Sequence, residues 1–173
     1  MLDQRMSFDE EQLDRIEACL DKLLAKSNAV AVLFANEEGQ PVGQVGGLAD
    51  KDRMALSTLA AGSFAATVAM AKLLGQAGRF EHLFFEGEDH GVYSSSVGEG
   101  FLLTIAFDNR AKPGLVRLQS QEAAKELLAV LDQAREQTIQ QPLEDLLDGE
   151  FGESLADELD TLFSGEGNGL VDS

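Results

Sequence analysis

The sequence predicts an α/β sandwich with the element order α-β-β-α-β-β-β-α around an antiparallel five-stranded sheet. Three observations lead there. Apolar residues recur at helical spacing near residues 13–24, through a long middle stretch, and again at 115–131. Between these stretches lie five short runs with the length and bounds of strands. The links at 37–40, 87–90 and 98–100 are of hairpin length, which makes the strands they join antiparallel neighbours.

The elements follow in order. Ser7-Phe8-Asp9-Glu10 has capping-box spacing, with Ser7 as N-cap and Glu10 three residues on. Leu13, Ile16, Leu20, Leu23 and Leu24 then share a face and predict a helix over 8–27. The nearly continuous apolar run Ala29–Ala35 suits a buried strand. Glu37-Glu38-Gly39-Gln40 supplies a turn with glycine where positive φ costs little. Residues 41–46 run back as a weak second strand, with Pro41 at its first position or at an edge.

A long helix is predicted over 51–75, N-capped by Asp50 or Asp52 and closed at Gly75. It crosses over to strands at 80–86, 91–97 and 101–107. Pro113 suits the first turn of a last helix, carried to about residue 137 by Leu115, Leu118, Ala124, Leu127, Leu128 and Leu131. Pro142 is read as a break. The expected organisation is a body over 1–140, an acidic flexible linker over 141–153, a short amphipathic C-terminal helix over 154–165 and a disordered end over 166–173.

Composition narrows the function. The chain has 173 residues and is 44% hydrophobic, enough for one well-built core and an appendage. Its formal net charge of −18 excludes a nucleic-acid partner and disfavours an anionic membrane, since both require a basic face. No Trp and a single Tyr make stacking on bases a poor fit as well. Residues 141–173 hold ten Asp or Glu and no Lys or Arg, which separates an acidic tail from a moderately acidic body. Cys19 is the sole cysteine; it forms no intrachain disulfide and reads as a small buried helix residue. No apolar run follows Met1-Leu2-Asp3-Gln4-Arg5, so neither a signal peptide nor a transmembrane span is expected, and the protein is expected to be cytoplasmic.

Catalytic patterns are missing. No Gly-x-x-x-x-Gly-Lys-Ser/Thr occurs, and the glycines near 46–47 and 75–78 read as turns. His82 and His90 have no Cys or His at ligand spacing, so no metal or cofactor is expected. There is no Gly-x-Ser-x-Gly and no Cys/His pair for nucleophilic chemistry. We therefore expect no catalytic residue and no enzymatic activity of the chain's own.

One segment stands out. From Met54 to Ala71 no side chain is acidic or basic. A helix packed on a sheet by one face shows charge on the other, so this helix must be covered on both sides. Thr58, Ala61, Gly62, Ala65 and Ala69 fall along one stripe of small residues that ends at Lys72, where another backbone can come close. Leu56, Leu59, Val68, Met70, Leu73 and Leu74 are expected to pack on the sheet and on neighbouring helices. Either the helix is fully internal, or a second subunit or partner covers the stripe. A body of about 140 residues has little room for the first.

The residues resemble the roadblock/LC7 family, of the bacterial MglB type. The likeness rests on Leu59-Ala60-Ala61-Gly62-Ser63-Phe64-Ala65-Ala66, Ala71-Lys72-Leu73-Leu74-Gly75 and Phe84-Phe85-Glu86-Gly87. It continues with Phe107-Asp108-Asn109-Arg110, Gly114-Leu115-Val116-Arg117-Leu118 and the tail's Asp157–Phe163. Each motif alone is weakly specific; their order within the predicted layout is far more so. The resemblance implies a homodimer with sheets joined edge to edge and second helices side by side. It further implies binding of one MglA-like small GTPase in its GTP-bound form and stimulation of its hydrolysis, in a polarity or motility system. It implies that the GTPase's own residues are pushed into place, with no catalytic arginine from this side. Arg110, in an Asp-Asn-Arg turn after a strand, reads as turn-stabilising or as a member of an ion pair, not as an arginine finger.

Leu155, Leu159, Leu162 and Phe163 share one face of a segment too short to be stable alone. It is expected to dock on the GTPase and, by the resemblance, to modulate nucleotide exchange; otherwise it serves as a solubilising tail. Two other readings stay open. One is a roadblock scaffold dimer that binds a GTPase or another assembly without activating it. The other is a small-ligand sensor on a profilin- or PAS-like sheet, disfavoured because the sheet interior shows no polar cluster.

Overall fold

The computed structural model describes residues 6–148, and of these the side chains only to 140. The described residues divide into two compact units, Phe8–Ala134 and a second that holds residues 6–7 and 135–148. The described elements follow the expected order: α1 Glu10–Ser27, β1 Ala31–Asn36, β2 Pro41–Gly46, α2 Asp50–Leu73, β3 His82–Glu86, β4 His90–Val97, β5 Phe101–Asp108 and α3 Pro113–Asp148.

All strand pairs are antiparallel and the sheet order is β2-β1-β5-β4-β3. The two edges, β2 and β3, are consecutive in sequence, and α2 joins them. The outer strands of a five-stranded sheet lie about 19 Å apart. A helix of 24 residues is ~36 Å long and crosses that width easily.

Alternation along the strands sends side chains to two faces. Leu83, Ser94, Leu102, Thr104 and Leu33 point to one face, where Leu83 and Leu102 pack with Ala61 and Phe64 of α2. Val32, Phe34, Tyr93, Val97, Phe101, Leu103 and Ile105 point to the other and are buried. On that side Ile16 and Leu20 of α1 lie against Gly43 of β2, and Ser120 of α3 lies 3.2 Å from the Ser95 hydroxyl. Phe34 and Phe101 stack at 5.4 Å beneath α1. Within Phe8–Ala134 the layers are thus α2, sheet, and α1 with α3.

Four expectations on local structure are corrected. The N-cap of α1 is Asp9, not Ser7: its carboxylate accepts the Gln12 N–H at 2.8 Å, and the Gln12 side-chain oxygen accepts the Asp9 N–H at 3.0 Å. Glutamine serves at the third position as well as glutamate, so the same box forms two residues later. The N-cap of α2 is Ala49, without a side-chain bond, while Asp50 and Asp52 sit in the first turn, where they favour the positive end of the helix dipole.

The helix α3 runs through Pro142 to Asp148, so the first eight residues of the expected acidic linker are helical. An interior proline costs ~3 kcal/mol, but strong helix formers flank it on both sides, with Gln140 and Gln141 before it and Leu143 and Glu144 after it. The sheet also carries buried hydroxyls that its apolar runs did not suggest. Ser94 and Thr104 sit opposite each other and share a hydrogen bond at 3.0 Å, which satisfies both inside the core. The expected segment over 154–165 and its end over 166–173 lie outside the described residues.

Candidate functional site

The surface of interest is the outer face of α2. The helix meets the sheet through Ser57, Ala60, Ala61, Phe64, Thr67 and Ala71, all buried. Most of these are small, so the helix lies close to the strands. Ser57 and Thr67 satisfy their hydroxyls locally, on the Gly39 carbonyl at 3.1 Å and the Phe64 carbonyl at 2.7 Å. At the far end Gly75, with φ of +70°, donates to the Lys72 carbonyl while Gln76 donates to Ala71. This pair of bonds stops the helix where the glycine predicts.

The opposite face is open and, from Met54 to Ala71, uncharged. Thr58, Gly62, Ala65, Ala69 and Lys72 recur at spacings of four, three, four and three, and all are exposed. Flanking them are Met54, Leu59, Met70 and Leu73, with Leu59 at 67% and Leu73 at 87% exposure. A β-carbon added at Gly62 would meet nothing within 4 Å. The chain's own packing therefore gives no reason for glycine there, although glycine weakens a helix interior by roughly 1 kcal/mol relative to alanine.

Two expectations change here. Ala61 is not part of the stripe: it is 5% exposed and packs with Phe64 and Leu102 in the core. Its spacing of four from Ser57 and three from Phe64 puts it on the sheet side. Leu59, Met70, Leu73 and Leu74 do not pack on the sheet but stand outside it, whereas Leu56 and Val68 are half-buried. Small residues took the inner positions and left the bulk on the surface. Of the expected partner-binding residues, Thr58, Gly62, Ala65, Ala69 and Lys72 lie together on the open face; Leu155, Leu159, Leu162 and Phe163 lie outside the described residues.

A second exposed apolar element is one that sequence reasoning does not single out as a site. The edge strand β3 shows Phe84 and Phe85 at 42% and 50% exposure. Phe84 stacks on Phe107 at 5.8 Å. Adjacent residues in a strand point to opposite faces, so the two rings lie on opposite sides of this edge strand, and each is left partly exposed. That pairing is the signal in the sequence.

Among the described residues no group of three His, Cys, Asp or Glu side chains could hold a metal ion. His82 stacks on Tyr93 at 5.9 Å. Cys19 is buried, and its thiol donates to the Ala123 carbonyl at 3.7 Å. Burial, with Glu126 close by, pushes its pKa up to about 12, so the thiol stays protonated and unreactive. Arg110 is exposed and folds back on Asp108, donating through Nε at 2.9 Å, with Nη2 at 2.7 Å. This bond holds the Asp108 carboxyl below its ordinary value. The arginine is thus engaged in its own turn. The helix α2 is long and apolar enough to cross a membrane by length and composition, and 33% of its apolar window is buried, where its inner face packs on the sheet.

Residues 15–107 match the model of the roadblock/LC7 domain, more than half of the chain. The chain belongs to the roadblock/LC7 family.

Solved members place it near the MglB proteins. It is 34% identical to Myxococcus xanthus MglB, with a TM-score of 0.68 over 74% of this chain and 96% of that one. It is 30% identical to the gliding protein MglB from Thermus thermophilus, with a TM-score of 0.70 over 76% and 99%. A third structure, described as MglB with tetrameric arrangement, is 30% identical, with a TM-score of 0.71 over 77% and 99%. A comparison with curated proteins returns no match. The roadblock/LC7 member described here therefore matches, over nearly their whole lengths, proteins of the MglB type, and its fold is theirs.

Proposed function

We propose that this roadblock/LC7 protein is a homodimeric, cytoplasmic regulator of an MglA-like small GTPase, whose GTP hydrolysis it stimulates by repositioning the GTPase's own catalytic residues. The observation that carries the reading is the outer face of α2, an uncharged stretch of five helical turns exposed in the single chain. Exposed apolar surface of that extent marks an interaction site. Thr58, Gly62, Ala65 and Ala69 run along it to Lys72 at its end, and on the same side of the sheet the exposed Phe85 of β3 adds apolar surface at the edge.

The likeness to MglB proteins supports the choice of partner. Hydrolysis is sped by pre-organisation: a GTPase loop held in one arrangement loses less freedom on reaching the transition state. The segment with Leu155, Leu159, Leu162 and Phe163 docks on the same GTPase and modulates nucleotide exchange.

The test is GTP turnover by an MglA-like GTPase with and without the chain. Turnover should rise by at least tenfold with the wild type and stay at the basal rate with Ala65→Arg or Ala69→Arg. Both variants should remain folded by circular dichroism, since both positions are exposed. Binding without acceleration would instead select a scaffold dimer. Unimpaired binding and turnover by both arginine variants would remove α2 from the interface.

A further inference from the structure

Arg79 has no place in the surface just described, yet its side chain ties three separate connections together. It lies in the connector between α2 and β3. Its Nη1 pairs with Glu37 in the β1–β2 turn, and its Nη2 donates to the Gly98 carbonyl in the β4–β5 turn at 2.8 Å. The Arg79 side chain is 29% exposed and that of Glu37 46%, so the ion pair itself is solvated and the part-buried bond to the Gly98 carbonyl contributes most to the fixed geometry. The planar guanidinium suits this work, because two of its N–H groups reach two turns at fixed angles.

The turns it joins are themselves rigid. Glu37 N–H donates to the Gly100 carbonyl at 2.9 Å, linking the two turns directly. Asn36 closes the β1–β2 turn, its Oδ1 accepting from Gln40 N–H at 2.8 Å and Glu38 N–H at 3.1 Å. Gly39, with φ of +82°, presses on α2 so closely that an added β-carbon would lie 2.7 Å from the Thr58 Cα. One turn therefore touches α2 near Thr58 and holds the connector that leads out of α2 into β3. By contrast, β3 is mostly exposed and pairs on one side only.

We propose that Arg79 is a positioning residue for the partner-binding surface: by tying the α2–β3 connector to the β1–β2 and β4–β5 turns it fixes the edge strand β3 relative to the outer face of α2. Phe85, on the α2 side of the sheet, and the apolar residues of α2 are then held in one arrangement, and a partner does not have to order β3 on binding. The role in partner binding rests on the function proposed above.

The test uses the full chain with Arg79→Ala and Arg79→Lys, below the melting temperature of each. Amide hydrogen exchange should quicken at least tenfold in residues 82–86 of the alanine variant and stay unchanged in β1 and β5. The lysine variant keeps attraction to Glu37 but loses the second, fixed N–H, and should fall between. Affinity for an MglA-like GTPase and for a second copy of the chain should drop by about tenfold in the alanine variant. Exchange that is unchanged in β3, or quickened equally in every strand, overturns the proposal, the latter because it reports general loss of stability. Local quickening with undiminished affinity overturns it too. A wild-type chain that binds no GTPase, alongside local quickening and weaker self-association, refutes the proposed partner and leaves the positioning role standing.

Discussion

At the scale of the residue, Gly62 says most. It sits in the middle of a helix, exposed, with no conformational need for glycine and no neighbour to avoid. Replacing it with alanine should stabilise the isolated chain by ~0.4–1 kcal/mol, by narrowing the unfolded ensemble and favouring the helix. If another backbone passes over this point, the added methyl should weaken association at the same time. Urea unfolding below the dimer dissociation constant, with sedimentation above it, measures both. A gain in stability with no loss of association would mean that nothing approaches Gly62. This glycine is legible in the sequence as part of a small-residue stripe. Ala61 is not, because a spacing of three or four defines neighbours on a helix but not which neighbour turns inward. That depends on Ser57 and Phe64, whose burial only the packing reveals.

At the scale of the element, α1 and α3 lie side by side, and Lys22 joins Glu126 between them. Both partners shift as a pair should. The hydrogen bond from Lys22 holds the Glu126 carboxyl below its ordinary value, and the same bond lifts the Lys22 ammonium above its own. The stability that Glu126 brings is present above the unfolded carboxylate pKa and is lost as pH falls through the lowered folded value. The stability that Lys22 brings is present below the unfolded amine pKa and is lost as pH rises through the raised folded value. Glu126→Gln should therefore unfold more easily than the wild type at neutral pH, and the gap should close in acid. Melting temperatures from about pH 3 to pH 8 check this, with a gap that widens in acid as the contrary result. The elements themselves are legible in the sequence, because period and turn chemistry are local. The end of α3 is not: a proline in sequence marks a missing donor, and whether the helix absorbs that loss depends on the residues that follow.

At the scale of the molecule, two exposed apolar elements and an acidic tail define what the chain offers to others. Deleting residues 150–173 should leave stimulated hydrolysis intact and slow or quicken nucleotide release from the GTPase. Release of a fluorescent nucleotide measures it, and an unchanged rate would return the tail to a purely solubilising role. The sequence foretells the element order because each strand and helix carries its own pattern. The opposition of β2 and β3 at the two edges follows from pairings between distant segments, and no local pattern records them.

That arrangement also bears on how the chain comes into being. The central strands β1 and β5 pair from Ala31 with Ala106 to Asn36 with Phe101. Everything between them in sequence, including the uncharged helix α2, must be made before the middle of the sheet can close. Such long-range pairing folds slowly, and apolar segments wait unprotected meanwhile. On the ribosome, α1 and the β1–β2 hairpin emerge first and have no central neighbour until β5 appears. The hazardous interval for this protein is thus the time taken to synthesise residues 47–108, and a pause there would leave α2 open to aggregation before it ever meets a partner.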